Sequence, residues 1–156
     1  MTIAPIVQQV TVAVAPARAF DLFTRDIGRW WPRGQTIGQN PHADIVIEPQ
    51  PGGRWFERDD SGAETDWGKV IDWAPPARLV LGWQLDASFR YNSEVMTEVV
   101  MSFEPAPGGG TIVTLCHQKL EGLGVDAAAV SDKLRGGWPS KVADFATYAD
   151  AMEDAA

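Results

Sequence analysis

The run Pro51-Gly52-Gly53-Arg54-Trp55-Phe56, Asp60-Ser61-Gly62, Trp67-Gly68-Lys69-Val70-Ile71-Asp72-Trp73, Ala74-Pro75-Pro76-Ala77-Arg78-Leu79-Val80-Leu81-Gly82-Trp83 decides the fold. Each apolar, β-favouring segment is divided from the next by Gly, Pro or Asp, the punctuation of an antiparallel meander. Four of the chain's seven tryptophans fall inside it. A curved sheet carrying so many large rings suits the enclosure of something apolar.

Reading outward, residues 6–14 are rich in Val and alternate, giving a first strand. Pro16 fits the first turn of a helix, where its missing N–H costs nothing. That helix runs to about residue 26 and turns Phe20, Phe23 and Ile27 to one face, before Gly28 ends it. Arg29-Trp30-Trp31-Pro32 reads as a short helical turn closed by proline, and residues 33–42 as a loop. Strands follow near 43–48, 53–58, 64–73, 78–84, 94–104 and 111–118, with Gly108-Gly109-Gly110 in the last hairpin turn. In the tail the period changes. Asp126 caps a helix through Leu134, Gly136-Gly137 interrupts it, and a second helix starts or kinks at Trp138-Pro139. Trp138, Val142, Phe145, Ala149 and Met152 form a stripe too apolar to face water, so this segment must lie on the sheet in an α+β arrangement.

Composition sets bounds. The 156 residues fit one domain, 1–156, large enough to bury a core. A net charge of −8 argues against nucleic-acid and anionic-membrane partners. No apolar run approaches the roughly 18–20 residues of a membrane span, and the first residues lack the order of a signal peptide. Cys116 stands alone, so no internal disulfide forms, and a cytoplasmic setting is expected.

The order of one strand, a helix pair, six strands and a long C-terminal helix resembles the helix-grip (START-like, Bet v-like) fold. Within that SRPBCC superfamily the chain resembles the domain homologous to the activator of the heat-shock-chaperone (Hsp90) ATPase. Carrying the likeness are the Pro51-Gly52-Gly53 turn, Gly68-Lys69-Val70, the Pro75–Trp83 strand, Thr111-Ile112-Val113-Thr114-Leu115-Cys116-His117, and Gly137-Trp138, across nearly the whole chain. The resemblance implies a curved sheet of about seven strands wrapped on the last helix. It implies function less directly, since its members include co-chaperone domains and ligand carriers. A chaperone partner is therefore an implied reading, though the separate N-terminal domain of eukaryotic co-chaperones is not in this sequence.

Little in the chain signals catalysis. Its two histidines, His42 and His117, are far apart, with no Cys pair or His-Glu-x-x-His spacing, so neither metal nor cofactor is expected. The one spatial assembly worth naming is His117 with Glu57 and Asp72. Gly108-Gly109-Gly110 precedes a strand and has no phosphate-binding context. Cys116 and His117 are neighbours in a strand and point to opposite faces. If Val113 and Leu115 face the last helix, His117 does too, which makes it the weak candidate for a catalytic acid–base group; the alternative is a hydrogen-bonded histidine at the sheet's mouth. On the next strand Val95, Thr97, Val99, Met101 and Phe103 share the apolar face, and Glu98 points to solvent. Which of Arg54 and Glu57 turns inward stays open. The residues expected to line a ligand cavity are Trp31, Trp67, Leu81, Trp83, Tyr91, Met101, His117, Trp138 and Phe145, with Tyr91 as a gate.

Three readings follow. The first is a small-molecule binding protein holding an apolar or aromatic ligand in a closed cavity between sheet and last helix. The second is a cyclase- or hydratase-like enzyme using His117. The third is an interaction module that stimulates a chaperone ATPase. An open sheet edge also offers a homodimer contact.

Overall fold

The computed structural model describes residues 3–154; Met1, Thr2, Ala155 and Ala156, counted in the domain above, lie outside them. The elements are β1 (Ile6–Val12), α1 (Pro16–Arg25), α2 (Ile27–Trp30), β2 (His42–Ile47), β3 (Arg54–Asp59), β4 (Glu64–Ala74), β5 (Arg78–Trp83), β6 (Thr97–Pro105), β7 (Thr111–Gln118), a 3-10 segment Leu120–Asp126, and α3 (Ala127–Asp154). All seven strands form one antiparallel sheet in the order β1-β7-β6-β5-β4-β3-β2. Successive hairpins build β2 through β7, and β1 closes the far edge against β7.

One face of each central strand is buried against the helices, as the two-residue period requires. On β6, Thr97, Val99, Met101 and Phe103 are buried; on β7, Thr111, Val113, Leu115 and His117 are. Cross-strand pairing of Met101 with Leu79 and Leu115 makes this a continuous apolar floor. Phe20 and Phe23 of α1 and Phe145 of α3 press onto it, with Phe20–Phe103 ring centroids 5.2 Å apart and Phe23–Phe145 5.3 Å. A fully buried ring of this size contributes about 2–3 kcal/mol, so these contacts hold the helices on the sheet.

The tail departs from the sequence reading. Instead of two helices broken at Gly136-Gly137, α3 is continuous over 28 residues with Pro139 inside it. Ala127, Val130, Leu134, Trp138, Val142, Phe145 and Ala149 are all buried, and their spacing keeps one phase across the glycines. Burying that stripe outweighs the roughly 1 kcal/mol that each helical glycine costs. Pro139 lies on the exposed side of the helix, where solvent can replace the backbone hydrogen bond that its missing N–H would have made.

Two strand ends also moved. The strand expected from residue 94 begins at Thr97, because the Asn92 side chain accepts from Glu94 N–H and its carbonyl from Val95 N–H, forming a turn. The strand expected to reach residue 14 ends at Val12, where Asp150 of α3 accepts the Ala13 N–H at 2.9 Å. None of the described helices is long and apolar enough to cross a membrane.

Candidate functional site

Five tryptophans, Trp31, Trp55, Trp67, Trp83 and Trp138, meet where the concave face opens near the N-terminal half of α3. Trp31 precedes Pro32, which disfavours helical backbone; Trp31 therefore adopts extended angles (φ −64°, ψ 131°) and its ring leaves α2 for the interior. Trp55 and Trp83 both register with Gly68 on β4, lying on either side of it. With no side chain between them, the two rings meet at 5.8 Å. A Cβ at Gly68 would run into the Gly82 carbonyl oxygen. Trp67 is the extra residue of a bulge, since Trp55 pairs with Gly68 and Phe56 with Asp66. The bulge aims a side chain inward that strict alternation would have sent out.

These rings close a cycle. Centroid separations are 5.0 Å for Trp31–Trp67, 5.3 Å for Trp67–Trp55, 5.8 Å for Trp55–Trp83, 5.7 Å for Trp83–Trp138 and 6.0 Å for Trp138–Trp31. Most pairs are tilted or edge-on, the arrangement that aromatic quadrupoles favour. Hydrogen bonds pin three of the indoles: Trp31 donates to the Gln35 carbonyl at 2.8 Å, Trp67 to Glu57 Oε1 at 2.8 Å, and Trp138 to His117 Nδ1 at 3.1 Å. Trp55 N–H is buried with no acceptor among the described residues.

Glu57 turns inward and is 2% exposed, whereas Arg54 turns out to Asp66 and Glu64 and lies over the Phe56 ring at 4.0 Å. Besides Trp67, Glu57 Oε1 accepts the Ile37 N–H at 2.7 Å. One carboxylate thus ties an indole of β4 to the loop that follows α2.

Against this cycle lies a recess of about 300 Å³, open to solvent on one side. That volume is at the lower end of small-molecule sites. The indoles of Trp31, Trp67, Trp83 and Trp138 form its wall, with Gln35, Thr36 and Ile37 on one rim and Leu85 and Phe89 on another. Leu134, Gly137, Lys133 and Lys141 of α3 complete it. Lys141 Nζ donates to Gln35 Oε1 at 2.6 Å and to the Gly137 carbonyl at 3.3 Å. It stands 5.5 Å from the Trp31 ring centre and 5.7 Å from that of Trp138. Burial pushes its ammonium below the usual lysine range. A second depression, of about 350 Å³, lies between α1 and the edge strand β2; it is rimmed by Asp21, Arg25 and Asp44 and has no comparable aromatic wall.

His117 sits behind the wall, fully buried. An indole N–H can only donate, so Nδ1 of His117 must be the acceptor and Nε2 carries the proton. That Nε2–H donates to Thr97 Oγ1 at 2.8 Å, and Thr97 in turn reaches the Trp83 carbonyl at 3.4 Å. Burial drives the imidazole pKa down to about 3. Both ring nitrogens are committed, and the sequence picture of a histidine at the sheet's mouth is replaced by one sealed beneath Trp138.

The sequence-named residues therefore separate. Trp31, Trp67, Trp83 and Trp138 lie on the recess. Leu81, Met101 and His117 of the sheet and Phe145 of α3 are at most 1% exposed and pack together, so the space expected to be a closed cavity is filled there, and the recess opens to solvent. Tyr91 is 41% exposed and forms a β-bridge with Leu85, and Phe89 rather than Tyr91 lines the recess. Asp86 explains the exchange: its carboxylate accepts from Ser88 and Arg90 N–H, and the tight turn puts Phe89 at φ 57°, swinging its ring inward. Sequence reasoning missed Lys141, although it lies three residues after Trp138 and so on the same helix face. Among the described residues no three His, Cys, Asp or Glu side chains converge, and His117, Glu57 and Asp72 do not form a cluster.

Fold and recess define a helix-grip domain of the START-like superfamily. The chain belongs to the family described as activator of Hsp90 ATPase homolog 1-like protein, whose model matches residues 13–150. Among solved structures it is similar to an anthrahydroquino-γ-pyrone synthase, Txn09, at 32% identity, covering 94% of this chain and 97% of that one, with a TM-score of 0.65. A protein from Nitrosomonas europaea shares the fold at 16% identity and a TM-score of 0.68, over 98% of this chain and 97% of that one. The Aha1 dimer from Colwellia psychrerythraea does so at 15% identity and 0.62, over 95% and 97%. No curated protein matches the chain.

Proposed function

We propose that this protein binds a small, flat, fused-ring aromatic molecule in the recess beside the tryptophan cycle. The observation that carries the reading is the wall itself: four indoles line one open space. Rings so placed offer stacking and edge contacts to a planar guest at little entropic cost, because hydrogen bonds already fix three of them. The name of the relative at 32% identity supports the same ligand class, since its product is a fused aromatic system. Titration with anthraquinone, followed by tryptophan fluorescence, tests it. Saturable quenching by one equivalent is expected, and Leu134→Trp, which fills the recess, should abolish it while the fold persists. Absence of saturable quenching, or its survival in Leu134→Trp, refutes the reading.

A second reading, a cyclase-like enzyme, is favoured by that same relative being a synthase. His117 is poorly suited to serve it, with both nitrogens engaged. Any such enzyme would act by holding the substrate's shape, with Lys133 and Lys141 the only ionisable groups on the wall. A chaperone-docking role would call for an exposed apolar or charged patch, and a pull-down with the chaperone together with an ATPase assay tests it. A homodimer is supported by the Colwellia relative and by the open edge of β1, and light scattering decides it. The lone Cys116 keeps a cytoplasmic setting as the preferred one.

A further inference from the structure

Lys141, the half-buried cation of the recess, has no counter-charge among the described residues. This chain carries 21 acidic against 13 basic residues, yet the wall holds two lysines and no Asp or Glu. Lys133 is exposed to solvent, whereas Lys141 is half-buried with its ammonium over the Trp31 and Trp138 rings. No described carboxylate forms an ion pair with Lys141. Glu57, the acid bonded to the wall, is spent behind Trp67 on two N–H donors. Two of the three ammonium donors of Lys141 rest on neutral oxygens, the Gln35 side chain and the Gly137 carbonyl. Gln35 is exposed on the rim loop and free to swing away.

A partly desolvated ammonium with only amide partners is a site for an anion. We infer that Lys141 makes the recess selective for aromatic ligands that carry an ionised oxygen, a carboxylate or phenolate, at the ring edge. The flat rings lie against the indoles, and the anionic oxygen takes the place of Gln35 Oε1 on Nζ. Lys141 is the specificity-determining residue, and the cation–π contacts to Trp31 and Trp138 keep its head over the recess when no ligand is bound. This inference rests on the recess being the ligand site.

The matched pair anthraquinone-2-carboxylate and anthraquinone-2-carboxamide, each titrated by tryptophan quenching, tests it. The wild-type protein should bind the carboxylate about tenfold or more tighter, the gain of pairing the ammonium with a full negative charge over bonding it to a neutral amide oxygen. Raising the salt should narrow that gap. Lys141→Met should erase the preference, weakening the carboxylate far more than the carboxamide, while Lys69→Met, at an exposed position on β4 outside the recess, should retain it. Equal binding of the two probes by the wild-type protein, or a preference that survives Lys141→Met, overturns the choice of an anion alone. Should neither probe bind, the recess is not the ligand site and this inference falls with it. The wild-type comparison and its salt dependence need no variant, so the test stands even if Lys141→Met fails to fold.

Discussion

Acidifying the protein from pH 7 to pH 5 should cost it stability through a single side chain, His117. Unfolded, a histidine takes up its proton near 6.5; in the folded protein His117 holds out until about 3, because charging it would place an ion beneath Trp138 with no room for solvent. Protonating Nδ1 would also set an N–H against the indole N–H that now donates to it. Between those two values the unfolded chain binds one more proton than the folded one. Stability is therefore complete above about pH 6.5 and drains away as pH falls towards 3. At pH 5 the loss is about 2 kcal/mol, from 1.36 kcal/mol for each pH unit below 6.5. For a chain of this length that lowers the melting temperature by about 4–8 °C. His117→Gln keeps a polar group of similar reach and removes the titration. Thermal or urea unfolding of both proteins from pH 7.5 to 4.5 should give curves that converge as the pH falls. Parallel curves would refute the buried, neutral, doubly bonded imidazole on which the account of this region depends.

Trp138→Phe keeps an aromatic ring but strips His117 Nδ1 of its donor, so urea unfolding should show a loss of about 1–3 kcal/mol. Glu57→Ala orphans the Trp67 and Ile37 N–H groups and should cost about 2 kcal/mol or more by the same measurement; Glu57→Gln, whose carbonyl oxygen still accepts from both, should cost less than half of that. Gly68→Ala drives a methyl group into the Gly82 carbonyl on the neighbouring strand and should destabilise by about 3 kcal/mol or abolish soluble protein. Gly136→Ala does the reverse: its added methyl meets nothing within 4 Å on an exposed helical turn, and about 0.5–1 kcal/mol of stability is expected.

Periodicity and punctuation carried most of the architecture, because a sheet with one buried face writes its register into the chain. The inward sets on β6 and β7 follow from alternation alone, and so does the opposite facing of Cys116 and His117. Where the reading failed, longer-range forces decided. Gly136-Gly137 looks like a stop locally, yet the stripe from Ala127 to Ala149 keeps its phase and tertiary burial prevails. The site was half legible. Tryptophan abundance pointed to it, but the bulge that turns Trp67 inward, the Asp86 turn that prefers Phe89 to Tyr91, and the packing that seals His117 depend on partners more than ten residues away or on backbone irregularities that carry no sequence period. Lys141 was overlooked because a lysine beside an apolar stripe ordinarily snorkels to solvent.

The closed circuit of indoles also has an optical consequence. Chromophores separated by 5.0 to 6.0 Å do not absorb as independent units; their transitions mix, so the near-ultraviolet circular dichroism should carry paired bands of opposite sign that collapse on unfolding. Excitation landing on any member will migrate around the loop, and a guest that darkens one lamp will dim them all.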